Sequence, residues 1–258
     1  MLKKFEKEQT FLADFHIHSN FSDGKHSISE IVDFYGSRGF GSIAITDHLC
    51  EEKTLLGKGA AYLKHTITRK NFSQYMDTIH KESIRAQNKY GMLVIPGFEV
   101  TKNSLSNHRS AHILGLNVSE YVAADDDVTV IIENLKKQNA FTVAAHPLSN
   151  GKLEKQTLHL WNRREELAQH FDAWEVGYQK YWLQEVADSG YRMVANTDLH
   201  HFGQIDGWKT VFNCDQSILE IFNSIRNGNC DFEFYRSEKQ VDRVPKRRYF
   251  SQSAPISA

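Results

Sequence analysis

The chain has 258 residues, 40% of them hydrophobic, which is enough to fill one large core, and single α/β barrels commonly reach this size. Its 31 Lys and Arg balance 32 Asp and Glu, so bulk charge gives no reason to expect a long nucleic acid or an anionic membrane as partner. No apolar run is long enough to span a bilayer, the charged opening MLKKFEKEQTF does not read as a signal peptide, and Cys50, Cys214 and Cys230 are too few and too scattered for a disulfide framework or a Cys-x-x-Cys knuckle, so a reducing cytoplasm is the expected location.

In chain order, short apolar runs alternate with segments of helical period. FLADFHI reads as a buried strand, and SISEIVDFYGSRG as a helix opened by a Ser27/Glu30 capping box, with Ile28, Ile31, Val32 and Tyr35 on one face. GSIAITDH is a second strand, NFSQYMDTIHKESIRAQNKYG a long helix, MLVIPGFEV a third strand and AHILGLN a fourth. DDVTVIIENLKKQN is a helix with Val128, Ile131, Ile132 and Leu135 in phase, followed by the strands FTVAAHP, FDAWEVG and YRMVANTDLH. SILEIFNSIRNG closes the pattern as a helix, with Ile218, Ile221, Phe222 and Ile225 inward and Gly228 as its C-cap. Such alternation predicts parallel strands in an α/β fold. Residues 1–243 read as a single domain, and 244–258 as a basic, then small and polar, mobile tail.

The informative feature is how the apolar strands stop. The first ends in His16-x-His18, with Asp23 shortly after; alternate residues of a strand project to one side, so the two imidazoles point together. The second ends at Asp47 and His48, the third carries Glu99, the fourth begins at His112, and the next two endings supply His146 and then Asp198 with His200. In a parallel α/β barrel the strand C-terminal ends converge on the face that bears the active site, and His112 joins them if its strand is suitably oriented. So many ionisable groups at one mouth conflict unless metal ions bind them. The donors outnumber the needs of one tetrahedral ion, which points to a multinuclear site bridged by a carboxylate. The imidazole and carboxylate mixture, without thiols, suits Zn, Mn or Fe.

Taken in order, DFHIHSNFSDG, AITDH, GFEV, AHILG, AAHP and NTDLH resemble the successive motifs of the PHP (polymerase and histidinol phosphatase) superfamily, over residues 13 to 200. The resemblance implies a distorted (β/α)7 TIM-like barrel with up to three metal ions and, in the absence of polymerase motifs, a stand-alone metal-dependent phosphoesterase. By matching motif, the first ion takes His16, His18, Glu99 and Asp198. The second takes Glu99, His112 and His146, with Glu99 bridging. The third takes Asp23, His48 and His200. Many family members have His where Asp23 stands.

The expected chemistry is attack on phosphorus by a hydroxide held between two ions, with Glu99 and Asp198 as the central carboxylates, on a small phosphomonoester such as a nucleotide, nucleoside bisphosphate or histidinol phosphate. Cleavage of short oligonucleotides, or of a non-phosphate bond, is the alternative; a non-catalytic scaffold would not need so complete a ligand set. Candidate phosphate-binding cations are Arg109, three residues before His112, and Lys53, Lys58, Lys64 and Arg69. The last four lie in the 49–70 segment, which leaves a ligand, lacks a helical pattern over its first half and reads as a possible lid. Asp47 is expected to hydrogen-bond within the site, His201 to lie at its rim, and Trp161, Trp174, Trp182 and Trp208 to be core or rim.

Overall fold

Where a helix separates two apolar runs the strands can pair in parallel; where the connection is short they must turn back. The computed structural model describes residues 10–63, 65–103, 110–148 and 157–237. β1 (Phe11–Asp14), α1 (Ile28–Gly36), β2 (Ser42–Ile45) and the short β3 (His48–Cys50) form the first third. α2 (Leu55–Tyr62) and α3 (Phe72–Tyr90) lead into the long β4 (Leu93–Lys102), followed by β5 (Ala111–Leu116), α4 (Val128–Lys137) and β6 (Phe141–Ala144). Then come α5 (Leu158–Asn162), α6 (Arg164–Leu167), β7 (Ala173–Tyr178), β8 (Tyr181–Trp182), α7 (Gln184–Ala187) and β9 (Met193–Asn196). A 3-10 turn (Phe202–Gln204), β10 (Gly207–Phe212), α8 (Ile218–Asn227) and β11 (Cys230–Tyr235) complete the order.

β1, β2 and β4 pair in parallel, as do β6, β7 and β9. The wall curls until the chain just beyond β1 meets the chain just beyond β9. Ile17 bridges Leu199 in parallel, the His18 amide donates to Leu199 O at 2.8 Å, and the Leu199 amide donates to His16 O at 3.1 Å. The result is an α/β, TIM-like barrel distorted by antiparallel strands. Alternation predicts parallel strands throughout, but β5 runs antiparallel to both β4 and β6. Residues 103–110 are too few for a helical crossover, so the chain reverses directly. β10 and β11 also run antiparallel, outside the ring, against β1 and each other.

The helices follow their sequence signals. Ser27 and Glu30 cap α1 reciprocally. α4 buries Val128, Ile131, Ile132 and Leu135, and α8 ends on Gly228 at φ 69°, a left-handed backbone that glycine adopts without strain. The 49–70 segment departs from expectation, because the end of β3 and all of α2 fall within it. Thr54 caps α2 by accepting from the Gly57 amide. Gly57 is there for contact rather than freedom, since a Cβ would stand 1.5 Å from Glu51 O. Trp174 is buried in the core, and Trp161, Trp182 and Trp208 pack against it partly exposed. No helix among the described residues is long and apolar enough to cross a membrane. Arg109, Lys64 and the 244–258 tail lie outside the described residues.

Candidate metal centre

Strand register assembles the site. His48 stands directly beside Glu99 across the β3–β4 pair. Thr101, two residues along on the same face as Glu99, stands opposite His112 on β5. Because β5 is antiparallel, its first residues lie at the end where β4 finishes, and this brings His112 to the mouth. His146 and Asp198 stand two residues beyond the ends of β6 and β9, at φ 26° and 53°. Neither is glycine, so both hold a costly left-handed backbone, of a kind that concentrates at functional sites.

The side chains meet closely. His16 Nε2 lies 3.3 Å from Glu99 Oε1 and 3.4 Å from Asp198 Oδ1, and His18 Nε2 lies 3.2 Å from Asp198 Oδ1. His146 Nε2 is 3.4 Å from Glu99 Oε1. On the outer side, Asp23 lies 3.5 Å from His48 Nε2, 3.4 Å from His200 Nε2 and 3.9 Å from His18 Nδ1. Among the described residues, three groups have donor atoms mutually within 4.8 Å: His16, His18 and Asp198; His16, Glu99 and His146; and His18, Asp23, His48 and His200.

These groups overlap the ligand sets that the resemblance implies without coinciding with them: the first lacks Glu99, the second has His16 in place of His112, and the third adds His18. His18 reaches toward Asp23 as well as Asp198, yet a neutral imidazole has one lone pair, so it can serve one group only. His112 flanks its group instead of joining it: Nδ1 lies 2.9 Å from Glu99 Oε1 and Nε2 lies 3.4 Å from Asn103 Oδ1.

Hydrogen bonds at the far side of several rings leave a nitrogen aimed inward. His16 Nδ1 lies 3.0 Å from Glu175 Oε1, and His200 Nδ1 lies 3.1 Å from Asp198 O. His48 Nδ1 lies 2.7 Å from both Thr101 Oγ1 and Glu99 Oε2. Such partners fix the tautomer of a metal-bound imidazole. Glu175, fully buried on β7, also accepts from the His146 amide at 2.7 Å and from Asn196 Nδ2 at 2.8 Å. Sequence reading missed it, although a lone Glu inside AWEVG is the signal that marks it. Asp47 holds the loop instead of a ligand, accepting from the Ser19 amide, Ser19 Oγ and Ser22 Oγ. Gly24 is required there, since a Cβ would lie 2.2 Å from His18 O.

The electrostatics are those of a crowded buried cluster. Burial pushes the Glu99 carboxyl up, but His112, His16 and His48 outweigh it and hold it well below the usual carboxylate range. Burial likewise opposes ionisation of Asp198 and Asp23, and neighbouring histidines reverse that effect in both. Burial, together with the facing His200 and His48, lowers the His18 imidazole to about 3.

Divalent ions fit this arrangement. His16 Nε2 and both ring nitrogens of His18 are buried without a hydrogen-bond partner. An unpartnered buried polar atom is costly, and coordination to a cation removes the cost.

Other candidates fall at the rim or beyond. His201 is partly exposed next to His200, and His26 stacks on Phe202 with ring centroids 3.5 Å apart. Lys53 and Lys58 are exposed, and the Arg69 guanidinium sits 4.5 Å above the Tyr121 ring.

Comparison with solved structures gives a shared fold in the first of the following three. A two-domain protein of Bacteroides vulgatus containing a predicted PHP-like metal-dependent phosphoesterase superposes with a TM-score of 0.66 at 21% identity, over 88% of this chain and 65% of that one. The chain thus spans just under two thirds of that protein. Histidinol phosphate phosphatase of Lactococcus lactis, solved with Zn, L-histidinol and phosphate, gives a TM-score of 0.45 at 13% identity over 74% of this chain and 86% of that one. An amidohydrolase of Chromobacterium violaceum gives 0.46 at 15% identity, over 75% and 89%. Comparison with curated proteins finds no match. The PHP domain family model matches residues 14–225, most of the chain and every candidate ligand, so the chain belongs to the PHP domain family.

Proposed function

We propose that the protein is a metal-dependent phosphoesterase that hydrolyses a small phosphomonoester. The observation that carries this reading is the convergence of nine His, Asp and Glu side chains at one mouth of the barrel, with nitrogens on His16 and His18 that are buried without a hydrogen-bond partner. On this reading His16, His18 and Asp198 hold one ion, Glu99 and His146 with His112 hold a second, and Asp23, His48 and His200 hold a third, with Glu99 shared between the first two. Zn, Mn and Fe(II) suit this donor set. Bound ions would lower the pKa of a water and neutralise charge on phosphoryl oxygens, which is most of what phosphoryl transfer requires.

The protein's own part is orientation. Glu175 fixes His16 and the backbone of His146, and Asp47 fixes the loop that carries Asp23. The depth of the site supports a small substrate: His16, His18 and Glu99 are fully buried, and access is over Asp23, His48 and His200. A terminal phosphate on a slim leaving group reaches such a site more readily than the middle of a polymer. Arg109 and a lid formed by residues 49–70 belong to the same proposal as phosphate-binding elements.

The test is phosphate release from a panel of metabolite phosphates, with protein stripped by chelator and then reloaded with Mn, Zn or Fe(II). Turnover of one monoester class, absent before reloading, is expected. Turnover of amides or lactones with no phosphate release would replace this reading with a non-phosphate hydrolase.

A further inference from the structure

The candidate ligands Asp198 and His200 share a loop whose two ends are gripped by one buried ion pair. Asp14 and Lys209 are both fully buried, with Nζ 3.7 Å from Asp14 Oδ2. At the first end, Asp14 Oδ1 accepts from the Thr197 amide at 3.0 Å, and Oδ2 accepts from the Thr197 hydroxyl and, at 2.8 Å, from the Tyr35 hydroxyl. Thr197 directly precedes Asp198 and its left-handed backbone. At the other end, the Lys209 ammonium donates to Ile205 O at 3.0 Å and lies 3.5 Å from Gly207 O. Within the loop, Gln204 Oε1 accepts from the amides of His200 and His201.

A buried ion pair is weak evidence for stability, because desolvation offsets much of the attraction. Lys209 illustrates this: burial lowers its ammonium to about 8, against the pull of Asp14. What the pair can do that an apolar pair cannot is grip backbone amides and carbonyls.

On the reading of this site as a metal centre, we propose that Asp14 and Lys209 form a positioning clamp that holds residues 197–208 in the conformation presenting Asp198 and His200 to a divalent ion. Asp14 and Lys209 touch neither substrate nor ion; they act through Thr197, Ile205 and Gly207.

The experiment is calorimetric titration of chelator-stripped protein with Mn2+, for the wild type, Lys209→Met, Thr197→Val and Thr197→Ser, alongside amide hydrogen exchange. Lys209→Met and Thr197→Val are expected to bind Mn2+ roughly 10- to 100-fold more weakly, the range seen when a ligand loses its outer support. Exchange should quicken at residues 198–207 while the rest of the metal-free fold keeps its protection. Thr197→Ser, which retains the hydroxyl, should keep wild-type affinity. If Lys209→Met fails to fold, Thr197→Val, close in volume, carries the test. Wild-type affinity in the folded variants would overturn the clamp alone. So would a weakening that vanishes where each metal-free variant is fully folded. A wild type that binds neither Mn2+ nor Zn2+ would overturn the metal reading and the clamp with it.

Discussion

Glu175 does more at the single-residue scale than its place in an apolar strand suggests. Its carboxylate accepts from His16 Nδ1, the His146 amide and Asn196 Nδ2, all donors. Glu175→Gln keeps the volume but turns one acceptor oxygen into a donor, so at least one of the three hydrogen bonds must break. Because two of them orient candidate ligands, divalent-ion affinity should fall by about 10- to 100-fold. Calorimetry of the stripped variant measures this directly, and unchanged affinity would mean that Glu175 only packs the barrel wall. Most of the ligand candidates were legible in the sequence because they follow or open an apolar run, where a charge has no packing reason to be, and Glu99 because it stands near the end of one. Glu175 was harder to see: it lies within its strand, and its role comes from strands far apart in sequence, β1 and β9, meeting β7 in the barrel. The double reach of His18 is also invisible before the fold exists, because Asp23 and Asp198 stand on opposite sides of its ring.

The α1, α4 and α8 elements were readable because cap, period and stop signal agree in each. The α2 helix was not, because eight residues with two glycines show no usable period. Those glycines differ. A Cβ on Gly59 meets nothing within 4 Å, whereas one on Gly57 would strike the backbone oxygen of Glu51. Gly59→Ala should therefore stabilise α2 by about 0.5–1 kcal/mol through lost unfolded-state freedom, and Gly57→Ala should displace it. Hydrogen exchange of α2 amides should slow in the first variant and quicken in the second; quickening in both would mean that α2 is not held as described. The segment leading into α2 is anchored, since Asp125 accepts from the amides of Glu52 and Lys53. If α2 is part of a lid, replacing residues 53–64 with a Gly/Ser linker should slow the best small monoester much more than a generic aryl phosphate. Equal small changes on both would leave the segment without a role in selection. The direction of β5 was the other feature hidden from the sequence, since alternation of elements says nothing about a connection too short for a helix.

Two linkages act on the whole molecule, and they can be separated. Lys209 is charged on both sides of the unfolding reaction below pH about 8, so its burial cost is fully present there. Between about 8 and its ordinary value of 10.5 the folded form binds fewer protons than the unfolded form, so this contribution to stability rises with pH. Other groups titrate in the same range, but they largely cancel in a comparison with Lys209→Met. The wild-type minus variant difference in unfolding free energy should become more favourable to the wild type from pH 7.5 to pH 10, as read from urea midpoints; a flat difference would mean that Lys209 titrates normally. The second linkage is to metal. Ions that bind the assembled donors but not the unfolded chain stabilise by mass action, by about 2.7 kcal/mol at a concentration 100 times Kd. For a domain of this size each kcal/mol is worth about 2–4 °C, so the reloaded protein should melt roughly 5–11 °C above the stripped one. The gain should shrink in acid, where protons compete for the imidazoles. Glu99→Ala should lose most of the gain, since Glu99 lies against His16, His48, His112 and His146 at once. Asp23→Ala should lose less, because Asp23 serves only the outer group. Equal melting with and without ions, in protein shown to be fully stripped and reloaded, would contradict a metal centre built by the fold.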